Sequence, residues 1–220
     1  MTDKHRRSIR LRGYDYTQPG AYFVTICTHN REHLFGEVID GEMQVNEFGR
    51  IVREEWFRTP QVRSYVKLYP DEFVVMPNHI HGIIWIVDDV AAVVGATQRV
   101  APTSRVAPTS RVVPTGPTPG SLGAIIGQIK STVTKRINAM RGTPGDSVWQ
   151  RNYWEHVIRT ERALDAIRQY ILDNPQRWEL DRYNTEAVRP GPIAREIWAM
   201  LQDESTCQPT ANDRRENNEL

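Results

Sequence analysis

The sequence predicts an α+β fold, an antiparallel sheet with packed helices, on three observations. Runs rich in β-branched and aromatic residues alternate with amphipathic segments in the order strand, hairpin, helix, strand, helix, strand, helix. Each helical segment carries one apolar stripe, so each has a single face to bury. Asp40-Gly41 stands between two apolar runs, a strong short-range signal of an antiparallel hairpin. With 220 residues, 39% hydrophobic and 25% charged, the chain suits one domain with extensions and is long enough for a substantial core.

The first strand is read at residues 20–29, where aromatic and β-branched side chains dominate. Asn30 to His33 interrupt it, and Leu34 to Ile39 with Met43 to Val45 form the hairpin. A helix follows from about Glu47 to about Arg58, with Asn46 as N-cap, Phe48, Ile51, Val52 and Trp56 inward, and Pro60 as its stop. Phe73 to Val87 read as strand interrupted at Pro77-Asn78, either two adjacent strands or one with a bulge, because proline cannot donate a ladder hydrogen bond. Ser121 caps a second helix whose Leu122, Ile125, Ile126, Ile129, Val133, Ile137 and Met140 keep helical spacing until Arg141-Gly142. Residues 148–159 read as strand. Thr160 caps the last core helix, with Glu161 in its first turn, Ala163, Leu164, Ile167 and Ile171 inward, and Pro175 at its end.

Arg99-Val100-Ala101-Pro102-Thr103-Ser104 recurs at 105–110 and, altered, at 111–116. Recurrent Pro, Thr and Ser without large apolar side chains cannot offset ordering entropy. The expected organisation is therefore a domain over 1–180 with a disordered insertion at about 90–119, then a peripheral extension over 181–220 with one more helix at Ile193 to Leu201 and a disordered end. The net charge of +1 is unevenly spread: residues 200–220 hold five acids and two bases, or −3, which leaves +4 elsewhere. Lys4, Arg6, Arg7, Arg10 and Arg12 crowd the N-terminal arm, a density that can neutralise phosphates or simply be solvated. Two cysteines, Cys27 and Cys207, make no disulfide scaffold, and no apolar stretch is long enough to span a bilayer or act as a signal, so a cytoplasmic protein is expected.

The chemistry centres on His79-Ile80-His81. Residues two apart on a strand share a face, so both imidazoles project together. Neutral imidazole is the commonest metal ligand, and two on one strand can hold a divalent cation with positions left open. Taken alone the pattern equally suits two satisfied strand histidines. Tyr170 and Asn174, one turn apart on the last helix, share a face that borders its buried stripe and could be aimed at the pair. A phenol, an amide oxygen and two imidazoles would then converge as a nucleophile beside a cation site. Lys130, Arg136, Arg151, Asn152 and Trp154 mix basic, amide and aromatic side chains that can grip phosphates and stack on unpaired bases, or be ordinary packing and surface.

Tyr22 to Thr28, Val75 to Gly82, Leu122 to Ser131, Trp149 to His156 and Tyr170 to Pro175 occur in this order. With them the chain resembles the single-tyrosine HUH transposases of insertion sequences, and most of all the REP-associated tyrosine transposases, from about Tyr14 to about Trp178. The resemblance implies a ferredoxin-like, RRM-like HUH endonuclease fold. It implies that His79 and His81 bind Mg2+ or Mn2+, with a third ligand from the tyrosine helix, where Asn174 replaces the family's usual glutamine. It implies that Tyr170 attacks a phosphodiester of single-stranded DNA, giving a 5′-phosphotyrosine and a free 3′-OH. The implied partners are single-stranded DNA with hairpins from repetitive extragenic palindromes, contacted through Lys130, Arg136, Arg151, Asn152 and Trp154, with no membrane. Monomer and homodimer both stand, with the tyrosine acting in cis or in trans.

Two other readings stay open. A domesticated relative would bind DNA hairpins with little or no catalysis. An unrelated metal hydrolase would use His79 and His81 with a bound water, but the sequence shows no carboxylate or third histidine close to the pair.

Overall fold

The computed structural model describes residue 11 and residues 13–88 and 116–187. The N-terminal basic arm, nearly all of the repeat segment and the expected helix and tail beyond 187 lie outside the described residues. The elements are β1 (Gly20–Cys27), β2 (Gly36–Ile39), β3 (Glu42–Val45), α1 (Glu47–Val62), β4 (Val66–Lys67), β5 (Phe73–Met76), β6 (His79–Ile86), α2 (Leu122–Arg141), β7 (Trp154–Ile158) and α3 (Glu161–Asp173). Short 3-10 turns lie at His29–Arg31, Pro70–Glu72 and Pro175–Leu180.

The main sheet runs β4-β6-β1-β7, with β5 also paired to β6, and every ladder in it is antiparallel. Since β1 occupies one edge of β6, β5 and β4 share the other. The layer β5-β6-β1-β7, with α1 and α2 in the connections, has the ferredoxin-like order. β2 and β3 form a separate hairpin, turned by Asp40 at φ 52° and Gly41 at φ 77°, as a two-residue Asp-Gly loop requires.

Alternation along the central strands builds two cores. Tyr22, Val24 and Ile26 of β1 and Ile80, Ile84 and Ile86 of β6 face α1 and α2, packing with Trp56, Ile125, Ile129 and Val133. Ala21, Phe23 and Ile83 face the other way and pack with Leu164, Ile167, Tyr170 and Ile171 of α3. Helix starts follow the expected caps: Asn46 accepts from Phe48 and Gly49, Ser121 from Ala124, and Thr160 from Ala163. Gly142 at φ 67° closes α2.

Two expectations are corrected and one open alternative is resolved. Pro60 does not stop α1, which runs on to Val62. In the last turn a proline forfeits only its own bond, and Arg63 N–H still donates to the Thr59 carbonyl. The interrupted run 73–87 resolves into β5 and β6, joined tightly through Pro77-Asn78 with Met76 opposite His79. The strand expected over 148–159 is regular only over β7, because Val148 to Gln150 instead bond the end of β1: His29 N–H donates to the Val148 carbonyl and Gln150 N–H to that of Cys27.

Gly82 sits where α1 presses closest on β6. A Cβ there would lie 2.4 Å from Trp56 Cζ2 and 3.1 Å from Phe73 Cδ2. Gly82→Ala is expected to destabilise the fold by about 1–3 kcal/mol through overpacking, read as a lower urea midpoint with unchanged slope. An unchanged midpoint would show that the α1–β6 contact is looser than this geometry.

Candidate functional site

The site lies where β1 ends and β6 begins. In register, Cys27 opposes His79 and Thr25 opposes His81, on the α3 side of the sheet. Both imidazoles are fully buried, and their Nε2 atoms are 3.0 Å apart. Asn78 Nδ2 donates to the carbonyls of Arg31 and Tyr183 at 3.2 and 2.8 Å, so its Oδ1 faces His79 Nδ1, 2.8 Å away, and accepts from it. That tautomer leaves a lone pair on His79 Nε2. His81 Nδ1 lies 2.8 Å from Thr25 Oγ1, and the same hydroxyl meets the Tyr183 phenol. With that hydroxyl donating to the phenol, His81 Nδ1 donates to Thr25 and its Nε2 is an acceptor too. Two acceptors facing each other at 3.0 Å repel, and a shared cation converts that repulsion into ligation.

The helix α3 delivers the nucleophile candidate. Tyr170 Oη lies 3.3 Å from His81 Nε2. The helix is held by Arg168, which donates to Glu72 Oε1 at 2.9 and 2.7 Å, while Glu72 Oε2 accepts from the Trp85 indole at 2.7 Å. Asn174 ends α3 and is buried; its side chain hydrogen-bonds Tyr170 and Asp181, and its Oδ1 is left without a partner. A buried orphan amide oxygen beside two acceptor imidazoles fits a hard cation.

Asp181 was not foreseen. Its carboxylate is 4.0 Å from His79 Nε2, and one ligand atom each from His79, His81 and Asp181 all lie within 4.8 Å of one another. The expectation that no carboxylate stands near the pair is therefore corrected, and so is the reading of residues past 180 as peripheral. Asp181 to Tyr183 roof the site: the Tyr183 ring is 4.8 Å from that of His79, and its N–H donates to Asp181 Oδ1 at 2.6 Å. Arg31 Nη1 donates to the Arg182 carbonyl at 3.2 Å, and the two guanidinium carbons lie 5.4 and 5.1 Å from the Tyr183 ring centre. Arg31 reaches this position through two successive left-handed residues, Asn30 at φ 52° and Arg31 at φ 57°. Such non-glycine backbone stores strain of a kind that collects at functional sites.

Burial sets the protonation states. It pushes His81 down to about 3 and, with the neighbouring His81 ring adding to it, holds His79 well below the ordinary imidazole range. Both are neutral, as ligands must be. Burial pushes the Tyr170 phenol well up, with the Asp181 charge acting in the same direction, and burial likewise raises Asp181.

The five residues expected at DNA lie outside this buried cluster. Trp154 is half-buried on the α3 side, edge-on to Phe23 at 5.6 Å and stacked with His156. Arg136 donates to Glu55 and Glu54 at 2.8 and 2.6 Å, so its charge is matched in tying α2 to α1. Lys130 Nζ donates to the carbonyls of Gln150 and Arg151 at 2.5 and 3.2 Å, and burial lowers it to about 8. Arg151 and Asn152 are exposed.

No protein-family model matches the chain. A protein of Haemophilus influenzae, known as an uncharacterized protein, is 40% identical over 178 residues, which is 81% of this chain and 92% of that one. This chain and that protein belong to one family. Among solved structures, the REP-associated tyrosine transposase bound to a REP hairpin is similar with a TM-score of 0.49 and 18% identity, over 76% of this chain and 73% of the other. Among the described residues no helix is long and apolar enough to cross a membrane.

The buried histidines make a pH prediction. Their folded values lie below the unfolded value of about 6.5, so below that pH the unfolded chain takes up protons that the folded chain refuses. With EDTA present, stability is expected to fall as pH drops from about 6.5 toward 5, by up to about 1.4 kcal/mol per pH unit for each histidine. Urea midpoints across this range check it; a flat profile would mean the imidazoles accept protons while folded.

Proposed function

We propose that this chain, with its Haemophilus influenzae relative, is a REP-associated tyrosine transposase of the single-tyrosine HUH superfamily. It is a metal-dependent single-stranded DNA endonuclease and strand transferase that cleaves and rejoins DNA beside hairpins through a 5′-phosphotyrosine. The observation that carries this reading is the Tyr170 hydroxyl 3.3 Å from the nitrogen of a neutral, paired histidine in a buried polar cluster. A purely structural tyrosine has no need of such a setting.

His79 and His81 hold the cation, Mg2+ or Mn2+, with Asn174 Oδ1 or the Asp181 carboxylate as the third protein ligand. When bound, the cation supplies Lewis-acid stabilisation of charge developing on the scissile phosphate. Tyr170 Oη attacks phosphorus and the P–O3′ bond breaks, and the phenol's proton is given up to solvent, because the Asn174 amide donates to both Tyr170 and Asp181 and cannot take it up. The departing 3′ oxygen takes up a proton to leave a free 3′-OH. Reversal by an incoming 3′-OH rejoins DNA without ATP, because the phosphotyrosine keeps the ester bond. Tyr170 and His81 of one chain stand 3.3 Å apart, which supports the tyrosine acting in cis.

With Tyr170 only 6% exposed and both histidines at 0%, DNA reaches phosphorus-attack distance only when the segment around Asp181 to Tyr183 lifts. That burial also favours a second reading, a hairpin-binding protein with little catalysis.

The test is incubation with labelled single-stranded hairpin DNA, with Mn2+, Mg2+ or EDTA. Wild type with metal is expected to give an adduct that survives denaturing electrophoresis, Tyr170→Phe and EDTA none. Tight binding without adduct would support the binding-only reading, and cleavage retained by Tyr170→Phe would point to a water-using hydrolase. Asp181→Ala is expected to raise the metal concentration for half-maximal adduct by about 10- to 100-fold, the range for weakened ligand sets; an unchanged requirement would remove Asp181 from the cation site.

A further inference from the structure

Away from the buried site, the exposed side of α2 and the chain 142–151 enclose a groove of about 880 Å³. Lys130, Lys135 and Arg151 line it against one carboxylate, Asp146, which Arg141 approaches at 3.8 Å. Lys135 and Arg151 are exposed, on opposite walls. Lys130 is half-buried and fixes the second wall by donating to the Gln150 and Arg151 carbonyls. That wall is also bonded to the end of β1: Gln150 N–H donates to the Cys27 carbonyl, and Trp149 bridges Thr28. Cys27 in turn opposes His79. The groove wall is thus two strand spacings, roughly 10 Å, from the backbone of a cation ligand. Charge and connection favour a polyanion that continues toward the site.

We infer that this groove holds the backbone of the unpaired DNA segment flanking the scissile phosphate, with Lys135 and Arg151 each contacting a phosphate and Lys130 keeping the wall in place. The inference rests on the proposed DNA chemistry at Tyr170 and adds where the flank runs. An unpaired segment is required because a duplex cannot enter a site as enclosed as that of His79 and His81. Non-bridging phosphate oxygens suit an ammonium on one wall and a guanidinium on the other.

The experiment measures hairpin binding by fluorescence anisotropy across a salt series, for wild type, the Lys135→Ala/Arg151→Ala double variant and Arg162→Ala. Arg162 is exposed on α3, across the sheet from the groove, and controls for lost charge. Loss of two phosphate contacts is expected to lower the slope of log K against log salt by about 1.4, at about 0.7 per single-stranded contact. A second substrate carries neutral methylphosphonate linkages in the flank. It is expected to bind wild type about tenfold more weakly than the natural strand and to bind the double variant equally well in both forms, as shared contacts demand. An unchanged slope in the double variant, an equal loss in Arg162→Ala, or methylphosphonate effects that simply add to those of the variant would overturn the groove assignment. Adduct formation by the same wild-type preparation is scored separately. Adduct with no groove effect sinks this inference alone, and a groove effect without adduct sinks the catalytic reading alone.

Discussion

A strand buried on both faces has to satisfy two layers at once, and β6 does so by strict alternation. Ile80, Gly82 and Ile84 meet α1 and α2, while His79, His81 and Ile83 meet α3. A one-residue slip of β6 against β1 would place the imidazoles under Trp56 and the isoleucines under Tyr170. The register is protected from both sides, because no side chain larger than glycine fits beneath Trp56 and no other residue pair would find Thr25 and Asn78 waiting. Buried imidazoles without those partners would each leave a polar atom unsatisfied, a loss of about 1–3 kcal/mol. The hydrogen bonds that make the pair tolerable in the core are the same ones that turn both lone pairs to a common point.

Tyr170 is placed by a second device. Glu72 is a buried carboxylate at the sheet edge, and it binds both Trp85 of β6 and Arg168 of α3. Arg168 precedes Tyr170 by two residues, so the angle of α3 on the sheet is fixed close to the reacting group. Burial then acts oppositely on the two halves of the site. It keeps the imidazoles neutral and ready to bind metal, and it keeps the phenol protonated and a poor nucleophile.

Much of this was legible in the sequence, for physical reasons. The two-residue period of His79 and His81 and the one-turn spacing of Tyr170 and Asn174 are local properties, and caps at Asn46, Ser121 and Thr160 depend on a few neighbouring amides. Asp181 was not legible. It follows a proline-initiated turn with no periodicity, and only the closing of the chain onto Asn78, through the Tyr183 carbonyl, brings it home. The partners of Arg136 were not legible either, because a basic side chain on a polar helix face looks alike whether it faces solvent, phosphate or, as here, Glu54 and Glu55 of another helix. The strand expected over 148–159 was overlong because aromatic residues that pair with β1 at a single bridge carry the same β-like signature as those in a ladder.

The eight residues of β6 separate two ends of very different tolerance. His79 opens the strand at the end that carries the buried polar cluster; Ile86 closes it, some 23 Å away at about 3.3 Å per residue. The chain between Ile86 and α2 carries the repeated hexapeptide, and it is spliced in at the far end. Joining two fixed ends by a longer flexible segment costs only about 0.6 kcal/mol for each doubling of its length. Adding or removing whole six-residue units there would leave the register of β6 and the distance from His81 to Tyr170 as they are.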